Sequence, residues 1–423
     1  MSNSDSKYEI RCPVHGFIKY GDWEKDIIAQ PAFQRLRRIR QLAWTDQVYP
    51  GTMHTRFEHS LGVMHIAAQL YDAIVGRSGE VLESELTYNP DGLNRDRRLV
   101  RLAALLHDVG HSPFSHAAEE LFPMQQDGIS RFRHEHYSAA IIRMELRDVI
   151  ENHPRNQNYR IKADDIAALL EGSSSAGRTL FWRELIDGQM DADRMDYLLR
   201  DSLHAGVDYG RFDWRRLLHT IQVVPGANGR APRLGVAEGG FHAAEGLVLA
   251  RYYMFTQVYF HKTRVAFDHH LQKVMGSLLP SGHFPRPSGA ELAEFLKWDD
   301  WRVLGALAHG EGGDHGRRLA DRDHFREVYQ TPESPRRKDL SALNRVRTSL
   351  GSLIQTEGRA DKSWYKVGTH DIPIVSANPG GGVAPLSNYS SVVANLAPIE
   401  KIMLYCKNDD VAEARNRIEQ CRR

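Results

Sequence analysis

Apolar residues in this chain recur mostly at the spacing of one helix face, and strict alternation is confined to short stretches. From Arg56, the series His59, Val63, Ile66, Leu70 and Ile74 predicts a long helix with a histidine on its buried side. A second apolar helix, with Leu99, Leu102, Leu105 and Leu106 on its stripe, runs straight into the polar pair His107 and Asp108. Phe33, Leu36 and Ile39 give a shorter stripe, with Arg35, Arg37, Arg38 and Arg40 on the remaining positions, so a solvated basic face and an anion-binding role both fit. Ser78 to Asp96 reads as a polar surface connection, and Tyr8 to Tyr20 as an extended segment with a turn at Pro13 to Gly16. Further helices are predicted from His134 through Leu146, over Ala163 to Leu170, around Asp191 to Asp201, and over a long span from about His242 to Met275. Thr220 to Val224 and Arg233 to Val236 form a predicted β-hairpin. After a boundary at Pro280 to Gly289 the chain reads as helical to about Leu353, interrupted by a loop at His309 to Gly316. Strands are expected at Tyr365 to Val375 and Ile402 to Cys406, with a loop at Ala377 to Leu386 between them. The expected fold class is mainly α, with a helical core at 8–279, a small β-hairpin excursion, and a C-terminal α+β region at 280–423.

With 423 residues the chain can bury a sizeable core. Its 55 basic and 54 acidic residues leave a net charge of +1, which argues against a protein-wide field for long nucleic acid or a membrane surface. Single-stranded nucleic acid is admitted as a partner but not indicated. No apolar run approaches the ~20 residues of a membrane span, and Met1 to Lys7 has no signal-peptide pattern, so a cytoplasmic protein is expected. Cys12, Cys406 and Cys421 are too scattered for a disulfide framework or a thiolate metal site. Histidine is the informative residue: eight of 21 fall between His54 and His136.

A neutral imidazole and a carboxylate at the end of a buried helix need partners, and a divalent metal satisfies both. A lone histidine on an apolar helix face is usually a satisfied core residue, but His59 precedes the second polar cluster at His107 and Asp108. Asp193, Tyr197 and Asp201 stand one helical turn apart and face the same way. A solvated acidic face is the bland alternative, yet Met195, Leu198 and Leu199 leave only part of that helix exposed. His59, His107, Asp108 and Asp193 would together bind one divalent ion, of Mg, Mn, Fe, Zn or Ni, leaving positions for water and substrate oxygens. His111, His116 and His134 are candidates to protonate a leaving oxygen, and Glu119 is spaced to hold the tautomer of His116.

These residues sit in longer words: Pro-Val-His-Gly at 13–16, Phe-Gln-Arg-Leu-Arg at 33–37, Arg-Phe-Glu-His-Ser-Leu-Gly-Val at 56–63, His-Asp-Val-Gly-His-Ser-Pro-Phe-Ser-His at 107–116 and Asp-Ala-Asp-Arg-Met-Asp-Tyr at 191–197. Together they resemble the deoxynucleoside triphosphate triphosphohydrolase branch of the HD superfamily of metal-dependent phosphohydrolases, which includes the vertebrate SAM-and-HD-domain enzyme and bacterial dGTPase-like enzymes. The resemblance spans about Ile10 to Met275. It implies a helical HD-domain core that hydrolyses a dNTP at the α-phosphorus to deoxynucleoside and tripolyphosphate. By position it makes His59, His107, Asp108 and Asp193 metal ligands, and His111, His116, Glu119, His134 and Glu135 the catalytic histidines with their acidic supports. Arg56, Arg194, Arg251 and Lys262 fall where the family grips phosphates. Gln41, Leu42, Tyr197, Asp201 and Tyr259 fall around the sugar, where Leu42 and Tyr197 would crowd a 2′-hydroxyl and Gln41 and Asp201 would bond the 3′-hydroxyl. The resemblance also implies a nucleotide effector, met here by Gln34, Arg35 and Arg37, and a homo-oligomer between dimer and hexamer.

Departures from the vertebrate pattern narrow these implications. Ala29 stands where that enzyme has an acidic residue that reads guanine in its activator, and Arg11 and Cys12 replace an Asn-Asp pair. Activation by GTP in that manner is therefore not expected, and any activator would be another nucleotide. Phe260 replaces a polar residue near the base, which leaves the preferred dNTP open. The core begins within the first dozen residues, so no N-terminal SAM domain is expected. Two other readings stay open: an HD phosphodiesterase or nucleotidase acting on another nucleotide, and a nucleotide sensor with a vestigial site. Pool housekeeping and antiviral defence would use the same chemistry.

Overall fold

Thr55 opens the longest helix, Arg56–Leu86, and the Glu58 carboxylate accepts the Thr55 N–H at 3.0 Å, one half of a capping box. In this computed structural model, which describes residues 7–226, 231–360, 365, 371–378 and 381–422, that helix is the spine of the molecule. It kinks at Ser78, whose hydroxyl accepts the Val223 N–H at 2.8 Å, and continues through the stretch expected to be a surface connection. Leu82 and Tyr88 explain the difference. They are buried and pin an otherwise polar segment, with Tyr88 donating to Asp96 at 2.6 Å and accepting from the Trp182 indole at 2.9 Å. Asn89 caps the next helix, Pro90–Leu106, by accepting the Gly92 N–H at 2.8 Å. This helix packs against the first, as does the helix Ala192–Ala205, so the three deliver His59, His107–Asp108 and Asp193 to one place.

The span expected as one long helix from His242 to Met275 is two. Phe241–Met254 passes through a π-helical turn at Phe255–Tyr259, and Lys262–Leu278 starts afresh with His261 as its cap. The fold is mainly α, with three small sheets among the described residues. β1 (Tyr8–Cys12) and β2 (Gly16–Tyr20) form an antiparallel hairpin. The predicted hairpin is present as β3 (Ile221–Val224) and β4 (Arg233–Ala237).

β5 (Arg326–Gln330) lies in the stretch expected to be helical to Leu353; its residues are all partly exposed, so no alternation marks it as a strand. The helix Gly313–Ala320 likewise occupies part of the expected His309–Gly316 loop. β6 (Thr356–Arg359) and β5 flank the expected strand β9 (Ile402–Cys406). The strand expected from Tyr365 is β7 (Pro373–Val375) alone among the described residues, 366–370 lying outside them, and the expected loop after it holds β8 (Val383–Pro385). β7 pairs in parallel with β4, so the tail completes the sheet that the hairpin begins, and a proposed division near residue 280 separates parts that share a sheet. Among the described residues no helix is long and apolar enough to cross a membrane.

Candidate metal centre and acid-base cluster

Ligand atoms of His59, His107 and Asp108 lie within 4.8 Å of one another. Asp193 Oδ1 completes the group, 3.0 Å from His59 Nε2 and 3.7 Å from His107 Nε2. Each histidine is oriented through its other nitrogen. His59 Nδ1 lies 2.7 Å from Asp196 Oδ2, and His107 Nδ1 lies 2.8 Å from the Ala104 carbonyl. Acceptors at both Nδ1 atoms place the proton there and leave the Nε2 lone pairs facing the carboxylates. Both Nε2 atoms are buried without a hydrogen bond, a costly arrangement unless a cation completes it. Burial works against charge on His59, but Asp193, Asp196 and Asp108 raise its pKa to about 10, so the pocket favours positive charge at this point. The residues therefore fit a divalent cation with mixed N and O ligands. The Asp193 side chain is 33% exposed whereas His59 is sealed, so the site opens on the Asp193 side.

His111, His116, Glu119 and His134 form a second cluster, joined to the first by His111 Nε2, 3.1 Å from Asp108 Oδ1. The rings of His111 and His134 stack 3.9 Å apart. Glu119 bridges the other two, with Oε1 2.7 Å from His134 Nδ1 and Oε2 3.0 Å from His116 Nδ1. Its carboxylate thus spends both oxygens on imidazole N–H groups, the pattern of an acid-base relay rather than of a ligand shell. Burial alone would raise the pKa of Glu119, but His116 and His134 hold it far below the usual range. For His134, burial is outweighed by Glu119, Glu135 and Asp108, which raise it to about 9. Burial, with Arg56 and His134 nearby, pushes the pKa of His111 well below the usual imidazole range, against the opposing pull of Asp108. His116 is the accessible member, its side chain 56% exposed. Glu135 is a more distant support, 3.6 Å from His134 Nδ1. Gly110 makes the junction, since a Cβ there would meet the backbone of His134, Tyr137 and Ser138. Ser138 locks the contact by accepting the Gly110 N–H at 3.0 Å and donating to the His107 carbonyl at 2.7 Å.

The basic residues around the centre are held by site carboxylates and carbonyls. Arg56 donates to Asp108 at 2.6 Å and to Ser115 at 2.9 Å, Arg194 folds back onto Asp191 and the Gly188 carbonyl, and Arg251 donates to Gln189 at 3.1 Å. Lys262 is exposed, with Nζ 3.5 Å from Glu327. Asp201 accepts from Tyr259 at 2.7 Å and sits 2.7 Å from His54 Nε2. Tyr197 and Tyr259 meet edge to face at 6.0 Å. Gln41 is buried beside them, its N–H bonded to the His54 carbonyl at 3.0 Å and its Oε1 unpaired, while Leu42 is half-buried.

The three residues expected to hold an effector are not brought together as a surface site. Arg35 is a correction: it is 1% exposed and donates to the Trp298 and His111 carbonyls, at 2.9 Å each, over the Phe295 ring. The chain turns from α to 3-10 geometry at this residue, which rotates the guanidinium into the core. Gln34 is half-buried and Arg37 exposed, the two joined by a 2.9 Å hydrogen bond.

The HD-domain family model matches residues 56–201, and that of the HD-associated region matches 212–349. Uncharacterized protein YwfO of Bacillus subtilis is 34% identical over 91% of this chain and 88% of its own length. The chain belongs to the HD-domain family. Deoxynucleoside triphosphate triphosphohydrolase SAMHD1 of Gallus gallus is 33% identical over 51% of this chain and 37% of its own length. The solved structure of a hypothetical protein from Aquifex aeolicus aligns with a TM-score of 0.79 at 28% identity, covering 97% of this chain and 99% of that one.

In this HD protein several residues unforeseen from sequence support the foreseen ones. Asp196 orients His59, and Asp196 is itself held by His15 at 2.6 Å and by two bonds from Arg200 at 2.8 Å. His54 braces Asp201 and stacks on His204 at 4.3 Å. The one signal for Asp196 was its place one turn beyond Asp193, next to apolar Met195, on the buried side of the helix.

Proposed function

We propose that this chain is a metal-dependent dNTP triphosphohydrolase that yields deoxynucleoside and tripolyphosphate. The observation that carries the reading is the contact between the two clusters. A cation-ready set of imidazole lone pairs and carboxylates adjoins an accessible histidine backed by a half-buried carboxylate. Half of the chain is also similar to proteins named deoxynucleoside triphosphate triphosphohydrolase. The bound cation would polarise a phosphoryl oxygen and acidify water. The remaining work falls to side chains. Arg56, Arg194 and Lys262 turn from carboxylate partners to phosphate oxygens, an exchange of one anion for another, and Arg251 turns from the neutral Gln189 amide to a charged acceptor. Asp201, Tyr259, Tyr197, Gln41 and Leu42 receive the sugar, where the unpaired Gln41 Oε1 offers an acceptor to a hydroxyl. Water adds to the α-phosphorus, the bond to O5′ breaks, and His116 supplies the proton to O5′ while Glu119 stabilises its charged form. Activation by a nucleotide other than GTP and assembly into an oligomer extend the same proposal, with Gln34 and Arg37 as the effector contacts that reach the surface.

Anion-exchange chromatography of products after incubation with Mg²⁺ or Mn²⁺ and dNTPs, singly and mixed, tests the reading. Deoxynucleoside with equimolar tripolyphosphate supports it, and a rate gained only in mixtures reveals an effector. Release of pyrophosphate or orthophosphate, or turnover of monophosphates or cyclic nucleotides instead, replaces it with a phosphodiesterase or nucleotidase. No turnover of any of these leaves a sensor.

A further inference from the structure

Between His111 and His116 the chain makes a turn that its own residues do not favour. Phe114 and Ser115 both have φ of +56°, in the left-handed region where a Cβ clashes with the backbone. Two such residues in succession, one of them aromatic, persist only where the surroundings impose the conformation. Some of that support is local. The Phe114 ring stacks on Trp44 at 5.2 Å, Ser115 N–H donates to the Ser112 carbonyl at 3.0 Å, and Ser112 Oγ donates to the Ser115 carbonyl at 3.1 Å.

The remaining support comes from far along the chain. Asp300, 2% exposed at the start of the helix Asp300–Ala308, accepts the Phe114 N–H on Oδ1 at 2.7 Å and the Arg40 N–H on Oδ2 at 2.8 Å. A carboxylate with one backbone donor on each oxygen is a rigid staple. The segments it joins both border the proposed site. Phe114 leads through Ser115 into His116, whereas Arg40 leads into Gln41 and Leu42. The Arg40 carbonyl also accepts from Ser115 Oγ at 2.7 Å, closing a ring of bonds through Asp300, Phe114, Ser115 and Arg40. Neighbouring contacts fasten Asp300 itself: Asp299 pairs with Arg38 at 2.5 Å, and the Trp298 carbonyl accepts from Arg35 at 2.9 Å. The metal-centre residues are on other elements, and Asp300 makes no hydrogen bond to them.

We propose that Asp300, in the HD-associated region, is a positioning residue for His116, holding the left-handed Phe114–Ser115 turn from which His116 projects. The inference rests on the acid role proposed for His116. Asp300 thus ties the HD-associated region to the acid-base cluster with no hydrogen bond of its own to the cation site, alongside the Arg35 bridge from the Trp298 carbonyl to the His111 carbonyl.

The test uses the full-length protein with Asp300→Asn and Asp300→Ala. Asparagine keeps the shape but turns an amide N–H₂ toward one of the two donors, so it keeps the fold where alanine fails to. Three quantities are read: kcat and KM for dNTP hydrolysis, Mn²⁺ affinity by calorimetry, and the His116 ring signal in ¹H–¹³C NMR, assigned with His116→Gln. The expected result is a fall in kcat of about tenfold to a hundredfold, the scale set by a small misplacement of a reacting group. KM and Mn²⁺ affinity stay within about twofold of wild type, and the His116 signal shifts or splits. An unshifted His116 signal with unchanged kcat overturns the proposal, as does a parallel loss of Mn²⁺ affinity, which would mark general damage. A wild-type protein that turns over no dNTP removes the proposed activity, while the His116 signal still decides whether Asp300 sets the turn.

Discussion

Asp196 Oδ2 lies 2.7 Å from His59 Nδ1, on the far side of the imidazole from the proposed cation. The same carboxylate meets His15 and the Arg200 guanidinium, and all four side chains are sealed from solvent. Removing such a support misorients the ligand without deleting it. Asp196→Asn is expected to weaken Mn²⁺ binding about 10- to 100-fold, measured by calorimetry. It also leaves the buried Arg200 short of a counter-charge, so thermal unfolding moves down as well. Unchanged Mn²⁺ affinity in a folded variant would remove Asp196 from the site.

Gly62, one turn along from His59, has no room for a side chain: a Cβ would meet Asp196 Oδ1 and the Arg200 guanidinium. Gly62→Ala must therefore push the orienting carboxylate away from His59. Overpacking of this kind costs about 1–3 kcal/mol, and the expected signature is a lower unfolding midpoint together with reduced Mn²⁺ affinity. A variant as stable as wild type that binds Mn²⁺ normally would show that the Asp196 position tolerates movement.

The Glu119–His134 pair predicts a pH window. His134 is raised from 6.5 to about 9, so its contribution to stability is complete below pH 6.5 and is lost as pH rises through 9. Glu119 is depressed from 4.5, so its contribution is present above pH 4.5 and is lost as pH falls further. The pair is thus fully stabilising between these limits, on the order of 3 kcal/mol for a shift of this size in a half-buried histidine. With chelator present, the difference in unfolding free energy between wild type and His134→Gln should be largest near pH 5.5 to 6 and should shrink through pH 9. A difference that is flat with pH would refute the ion pair.

The residues proposed as ligands share a reason for being legible. His59 interrupts an apolar stripe and His107–Asp108 ends one, and a polar group on a buried face is a local contradiction that sequence displays. What stayed hidden depends on tertiary contact. Arg35 looks like one more member of a basic run until the chain turns at that residue and carries it into the core. The π-helical turn at Phe255–Tyr259 contains neither Gly nor Pro, so helical periodicity reads straight through it, yet it places Tyr259 against Asp201. Asp196 and Asp201 are both acids on one helix, and only packing tells which of them faces His59. Asp300 could not be tied to Phe114 from sequence at all, since the two are 186 residues apart.

Asp108 separates ligand loss from unfolding. It pairs with Arg56 at 2.6 Å as well as facing both ligand histidines. Asp108→Ala would leave a buried guanidinium uncompensated, a cost of about 3–5 kcal/mol, so loss of activity in that variant would be ambiguous. Asp108→Asn keeps a hydrogen-bond acceptor for Arg56 while removing the anionic ligand. It should fold, fail to retain Mn²⁺ through dialysis, and hydrolyse no dNTP. Retained metal and turnover would take Asp108 out of the ligand set.

Arg35 and Arg37 distinguish a structural arginine from an effector contact. Arg35 spans two buried carbonyls from distant parts of the chain, Trp298 and His111, with burial lowering its pKa to about 10. Lysine cannot reach both carbonyls at once. Arg35→Lys is therefore expected to cost about 1.5–3 kcal/mol, the scale of a lost charge-assisted hydrogen bond, and to lower hydrolysis equally with and without added nucleotides. Arg37 is exposed, its guanidinium lying 3.5 Å over Phe57. Arg37→Ala should change stability by less than about 0.5 kcal/mol and alter only the response to a second nucleotide. Chemical denaturation and rates measured on single and mixed dNTPs check both variants. If Arg35→Lys instead leaves stability intact and abolishes activation, then Arg35 reaches the effector and must leave the core to do so.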